Sequence, residues 1–208
     1  MPPGQPDKAA QTDYPVLEVI RERWSPRAFA ERAVEKEKLL SVLEAARWAS
    51  SSNNRQPWRF IVTRRGDESF GKLLECLREG NVGWAQHASV LILSLAEKEF
   101  PARGDKPARE NRHAWHDVGS AVGNLILQAT ALNLYVHQMA GFYPEKASEA
   151  FRVPGTFEPV AVLALGYLGD ADDLPDALRE RELAERTRKP LEELVYGENF
   201  GEKVAWLD

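Results

Sequence analysis

A single cysteine, Cys76, stands in 208 residues. It excludes an intrachain disulfide and any cysteine-based zinc site. It also suits a reducing compartment and so points to the cytoplasm. No apolar run approaches the roughly 20 residues that a membrane helix needs. The longest runs, Val90 to Ala96 and Val160 to Leu165, have the length of strands. There is no G-x-G-x-x-G and no P-loop, so any cofactor must be held by other means. Positive charge is not in excess. The net charge is −5, which argues against a broad nucleic-acid surface but leaves room for a local site for one phosphate. Internal repeats and low-complexity tracts are also missing. Met1 to Pro15 is polar, carries four prolines and lacks the basic-then-apolar order of a signal peptide. It reads as a flexible tail ahead of one domain over residues 16–208.

What is present is an ordinary globular balance, with 43% hydrophobic and 28% charged residues. Apolar spacing predicts a short helix over Val16 to Arg23 and a longer one over Val34 to Trp48. Ser50 to Pro57 is a polar loop. Trp58 to Thr63 is rich in aromatic and β-branched residues and reads as a strand. A helix is expected over Glu68 to Arg78, ended by Gly80, then a strand over Ser89 to Leu95. Phe100 to Arg112 carries proline, glycine and many charges and reads as a mobile loop. Asp117 is expected to cap a long helix reaching Leu132, with Val118, Ala121, Val122, Leu125, Ala129 and Leu132 on one stripe. A strand over Leu134 to Met139, a helix over Pro144 to Phe151, a buried strand over Pro159 to Leu168 and a helix over Asp176 to Glu185 complete the reading, ahead of an extended end. Helices and strands mix without strict alternation, which favours an α+β sandwich.

Several segments offer groups suited to an anion or a polar ligand. Arg23-Trp24-Ser25-Pro26-Arg27-Ala28-Phe29 can present two guanidinium forks and a hydroxyl. Ser51, Ser52, Asn54 and Gln56 sit in a run of donors and acceptors too dense to bury without partners. That run leads through Gln56-Pro57-Trp58 into an apolar strand, which anchors it near the core. Arg186-Thr187-Arg188-Lys189 is a basic run near the end.

Arg-x-Ser-x-Arg-x-Phe at residues 23–29, followed by Ser-Ser-x-Asn-x-Gln-Pro-Trp-x-Phe at 51–60, resembles the N-terminal signature of the nitroreductase family. The likeness extends to about Trp206. It implies a sandwich with a central, mainly antiparallel sheet flanked by helices. It also implies an intertwined homodimer with two FMN sites at the interface, each built from both chains. Within it, Arg23, Ser25, Arg186 and Arg188 fall at the phosphate, and Trp24 is a further cofactor-binding residue. Ser51, Ser52, Asn54 and Gln56 fall along the ribityl chain and ring edge, and Asn81 falls against the pyrimidine. Asn81 can equally be a plain helix-end residue. Some members carry a lysine where this chain has Trp84, which leaves the charge near the flavin O2 to Arg27. The Ala140–Gly141 turn corresponds to the backbone amide that faces the flavin N5.

The resemblance further implies a ping-pong reaction. NADH or NADPH reduces the flavin and leaves, and a nitroaromatic, a quinone or a similar electron-poor acceptor then takes the electrons. Other outcomes stay open: a flavin-binding sensor or reservoir, or a branch that performs dehalogenation, flavin fragmentation or enal reduction. No catalytic side chain is required, since the flavin carries the chemistry. His113, His116 and Asp117 lack a further ligand for a metal. Cys76 reads as a packed helix residue. Trp84, Trp115, Phe142 and Tyr143 either line the substrate side or pack in the core or dimer contact.

Overall fold

The structure is a computed structural model that describes residues 8–102, 104–105 and 107–207. Residues 1–7 of the expected tail, Arg103 and Lys106 in the expected loop, and Asp208 lie outside the described residues.

Four strands form one antiparallel sheet. They are β1 (Trp58–Arg64), β2 (Val90–Glu97), β5 (Tyr135–Met139) and β6 (Phe157–Gly166), in the order β1-β2-β6-β5. Helices cover both faces. α2 (Lys36–Arg47) and α5 (Ala114–Ala131) lie on one side. α3 (Glu68–Leu74), α4 (Glu79–Ala85) and α6 (Pro144–Ala150) lie on the other. The remaining helices are α1 (Glu18–Glu22) and α7 (Asp176–Leu183).

Strand alternation explains the two cores. Side chains on a strand point to opposite faces with a period of two. Val90 and Ile92 pack with Leu39, Val42, Ala121 and Leu125 on one face. Leu91 and Leu93 pack with Phe70, Leu73 and Trp84 on the other. β2 is central and doubly covered, so it reads as an almost unbroken apolar run. The stripe expected on α5 is the one that is buried: Val118, Ala121, Val122, Leu125 and Ala129 face the core. The register slips once, between Ser94 and Leu95, opposite Pro159. Proline has no N–H for the ladder. Ser94 Oγ repairs the gap by donating to Ala161 O (3.0 Å) and accepting from Ala161 N–H (3.2 Å).

Four expectations need correction. Gly80 does not end a helix. α3 stops at Leu74, and Gly80 lies inside the separate helix α4. The Phe100–Arg112 stretch is not structureless, because β3 (Glu99–Phe100) pairs with β4 (Arg109–Glu110) as a small hairpin. Asp117 is not the cap of α5: the helix begins at Ala114 with His113 at the N-cap, and Asp117 falls in its first turn. Part of the expected tail is docked. Lys8 is buried, and Ala10 N–H donates to Arg21 O (2.8 Å).

The segment carrying Arg23 to Phe29 is laid against the chain leaving β6. Ala30 N–H donates to Tyr167 O and Gly169 N–H to Ala28 O, both at 2.9 Å. This contact requires a glycine at 169. A Cβ there would stand 2.6 Å from Phe29 C, 2.8 Å from Phe29 O and 2.9 Å from Ala30 N. These are backbone atoms that cannot rotate aside. Gly169→Ala should therefore lower stability by about 1–3 kcal/mol, as overpacking does. Urea unfolding checks this, and an unchanged midpoint would show that the 28–30 backbone is not held as described.

Candidate functional site

Segments from the early and late parts of the chain meet in one basic cleft. Arg23, Ser25 and Arg27 come from the segment after α1, and Arg186 and Arg188 from the extended chain after α7. They line a cavity of about 230 Å³ together with Lys8, Trp24, Arg181, Glu182 and Glu185. Six cationic side chains thus face two carboxylates. Such an excess of like charge is costly to gather in a partly buried place. Burial first, then the neighbouring Arg186 and Arg188, hold the Arg23 guanidinium below the usual arginine value. Burial and Arg188 do the same to Arg186. For Arg27, burial and Arg181 lower the value while Glu182 opposes them. Guanidinium groups stay charged under these shifts, so the cleft is built to receive an anion.

Glu182 gives the cleft its shape. It is 1% exposed, and its carboxylate accepts Arg27 N–H (2.9 and 3.0 Å) and Ala28 N–H (3.1 Å). Arg27 Nη1 completes an ion pair at 3.8 Å. Arg23 Nη1 donates to Ser25 Oγ at 3.3 Å. Trp24 lines the cleft and is itself buried, edge-on to Tyr135 with centroids 6.1 Å apart.

A second group lies where α4 meets the turn after β5. Asn81 Nδ2 donates to Gly141 O at 2.9 Å, and Arg78 N–H donates to the same carbonyl at 3.0 Å. A Cβ on Gly141 would stand 2.7 Å from Asn81 Nδ2, so only glycine lets this amide settle on the turn. The N–H of Gly141 has no acceptor among the described residues. Ala140 is exposed beside it.

His137 ties the two groups together. Its Nδ1 donates to Pro26 O (2.9 Å), between Ser25 and Arg27. Its ring packs on Trp84 of α4, centroids 4.5 Å apart, and Phe29 stacks on Trp84 at 6.2 Å. Burial lowers the His137 pKa to about 4, with Arg27 and Arg181 assisting and the Pro26 and Ser25 carbonyls opposing. A neutral imidazole therefore stands beside Arg27 at pH 7.

The loop over Ser51 to Gln56 stands apart. No hydrogen bond or ion pair among the described residues joins it to the basic cleft, Asn81 or Gly141. It is anchored instead on α5, because Asp117 Oδ2 accepts Ser52 N–H at 3.0 Å. Ser51 Oγ accepts Gln56 N–H (3.0 Å), and Gln56 Nε2 donates to Asn54 Oδ1 (3.1 Å). Asn53, Asn54 and Gln56 have φ of 51°, 54° and 51°, the left-handed region. Each such non-glycine residue costs roughly 1–2 kcal/mol. Strain of this kind collects at functional segments.

Trp84 and Phe142 are buried core residues, while Trp115 and Tyr143 remain at the surface. Reading the sequence missed Lys8, Arg181, Glu182 and His137. Arg181 and Glu182 lie in a charge run that resembles a solvated helix face, and nothing in the sequence marks which carboxylate turns inward.

The sequence profile of the nitroreductase family matches residues 20–81 and 72–167, and the chain belongs to that family. The fold agrees. The crystal structure of an oxidoreductase containing FMN superposes with a TM-score of 0.87 and 36% identity, covering 93% of this chain and 96% of that one. A nitroreductase family protein from Clostridium difficile 630 gives a TM-score of 0.67 at 30% identity, with 88% and 97% covered. A protein of Archaeoglobus fulgidus named "Putative NADH dehydrogenase/NAD(P)H nitroreductase" is 30% identical over 167 residues, 77% of this chain and 90% of its own.

The pH dependence of stability should carry the mark of His137. The folded imidazole titrates near 4 against an ordinary value of 6.5, so the unfolded chain binds the proton more readily. Stability is full above about 6.5 and falls as the pH drops toward 4. His137→Asn keeps an Nδ donor without the titration. Its thermal midpoint should decline less over that window, and parallel profiles for the two proteins would refute the assignment.

Proposed function

We propose that the protein is a cytoplasmic, homodimeric oxidoreductase that binds FMN and passes electrons from NADH or NADPH to nitroaromatic, quinone or similar electron-poor acceptors. The observation that carries this reading is the cleft joining Arg23, Ser25, Arg27, Arg186 and Arg188, whose surplus of positive charge suits a phosphate. The name of the FMN-containing structural relative supports the cofactor, and that of the archaeal relative supports the donors.

In this reading Arg23, Ser25, Arg186 and Arg188 hold the FMN phosphate, with Trp24 packed behind them. Asn81 and Gly141, already joined by a hydrogen bond, meet the ring. The free N–H of Gly141 is the donor for N5, beside Ala140. Arg27, clamped by Glu182, supplies positive charge where the reduced cofactor gains negative charge. His137 adds no second cation there, since it stays neutral. When bound, FMN supplies the electron-accepting ring and takes and releases two electrons. The protein's part is to bind, orient and stabilise charge.

Ser51, Ser52, Asn54 and Gln56 are assigned to the ribityl chain and ring edge of the partner's cofactor. That no hydrogen bond or ion pair among the described residues ties them to the basic cleft supports a site completed by a second copy. Leu17 (70%), Trp48 (72%), Phe200 (92%) and Trp206 (76%) are exposed apolar side chains that such a second copy would be free to cover. Among the described residues, no helix is long and apolar enough to cross a membrane.

Anaerobic stopped-flow of the FMN-loaded protein tests the reading. Flavin absorbance should bleach on mixing with NADH or NADPH and return on adding a quinone or nitroaromatic, and a cofactor that stays oxidised with both donors would overturn it. Replacing one charge-assisted contact should raise the FMN dissociation constant about 10-fold or more. Arg188→Ala should do so with little change in the reduction rate at saturating FMN. Arg27→Ala should weaken retention and also slow reduction. Equal effects on rate would refute this division of roles.

A further inference from the structure

We propose that Lys8, carried on the arm ahead of α1, is a direct ligand of the phosphate in the basic cleft, so that the N-terminal segment forms part of the cofactor site. The inference rests on the FMN reading above. Lys8 is 7% exposed and lines the same cavity as Arg23, Ser25, Arg27, Arg186 and Arg188. Its Nζ donates to Ala184 O and lies 5.4 Å from the centre of the Trp24 ring. No carboxylate among the described residues lies within ion-pair distance of it; Glu182 acts on it only from farther off.

A buried ammonium has three N–H donors and is costly to keep without an anion. One carbonyl and one aromatic face do not meet that need. Burial lowers the Lys8 pKa, Arg186 adds to this and Glu182 opposes it. A bound phosphate would act in the opposite sense, and Lys8 lines the cavity where it would lie.

The arm is held in place by the cleft's own residues. Arg186 Nη1 donates to Lys8 O, and to Arg21 O at 3.2 Å. Ala10 N–H donates to Arg21 O at 2.8 Å. One guanidinium at the C-terminal end thus clasps two N-terminal carbonyls while facing the cleft. This brings Lys8 beside Arg186, 178 residues away in sequence.

A purely structural role is the rival account, because a lysine stem lying over an indole also packs well. The two accounts part on the ligand. Riboflavin has the ring and ribityl chain of FMN without its phosphate. The dissociation constants of FMN and riboflavin are therefore measured by fluorescence titration of the flavin-free protein, for wild type, Lys8→Met, Lys8→Gln and Lys8→Arg. Lys8→Gln keeps a donor for Ala184 O without the charge, so it serves if Lys8→Met is poorly folded. The neutral variants should bind FMN about 10-fold more weakly, leave riboflavin unchanged and show a shallower salt dependence of FMN affinity. Lys8→Arg should restore most of the FMN preference.

A wild-type preference for FMN that survives intact in both neutral variants would overturn the Lys8 assignment. So would an equal weakening of both flavins. A wild-type protein with no preference for FMN over riboflavin would instead overturn the phosphate reading of the whole cleft, and this inference with it.

Discussion

The buried carboxylate of Glu182 is the contact on which the basic cleft depends. It lies at the end of α7, takes the backbone N–H groups of Arg27 and Ala28, and pairs with the Arg27 guanidinium. A buried charge of this kind is tolerable only when it is hydrogen-bonded and paired. The requirement works in both directions. Glu182 needs the Arg27 segment close, and the Arg27 segment is thereby brought against the chain that carries Arg186 and Arg188. Without that carboxylate, only Glu185 among the lining residues would remain to offset the mutual repulsion of the guanidinium groups.

The sheet gives this arrangement a rigid back. Gly169 lets the chain leaving β6 touch the backbone of Phe29 and Ala30, and His137, in the middle of the edge strand β5, holds Pro26 O. His137 also leans on Trp84, so the arginine segment and the Asn81–Gly141 pair share one support. The proposed phosphate and ring contacts are thus tied by packing rather than by the flexible reach of long side chains. The strained loop over Ser51 to Gln56 has a different anchor, Asp117 on α5. It is therefore anchored on the side of the sheet covered by α2 and α5.

Much of this was legible in sequence. The period-two and near-continuous apolar patterns marked β1, β2 and β6, and the Val118–Ala129 stripe marked α5, because burial on one or both faces leaves a regular trace. Arg23, Ser25 and Arg27 stood out by their spacing, and their partners Arg186 and Arg188 by a family likeness. Gly80 misled the reading, since a glycine marks a helix end only where the chain needs a left-handed turn, and here it does not. Asp117 misled it for a related reason: an acidic residue near a helix start resembles a cap whether it binds its own helix or a loop from elsewhere. The β3–β4 hairpin has only two residues in each strand, too few to impose a pattern.

By itself the sequence determined the strands, the main helices, the polar loop and the local chemistry of each motif, because these follow from short-range periodicity and residue type. The tertiary structure alone decided which charges meet. Lys8 and Arg186 are 178 residues apart and touch; Arg27 and Glu182 are separated by 155 and share a buried hydrogen bond. Electrostatic energy depends on distance and burial, and neither is set until the sheet and its covering helices have closed.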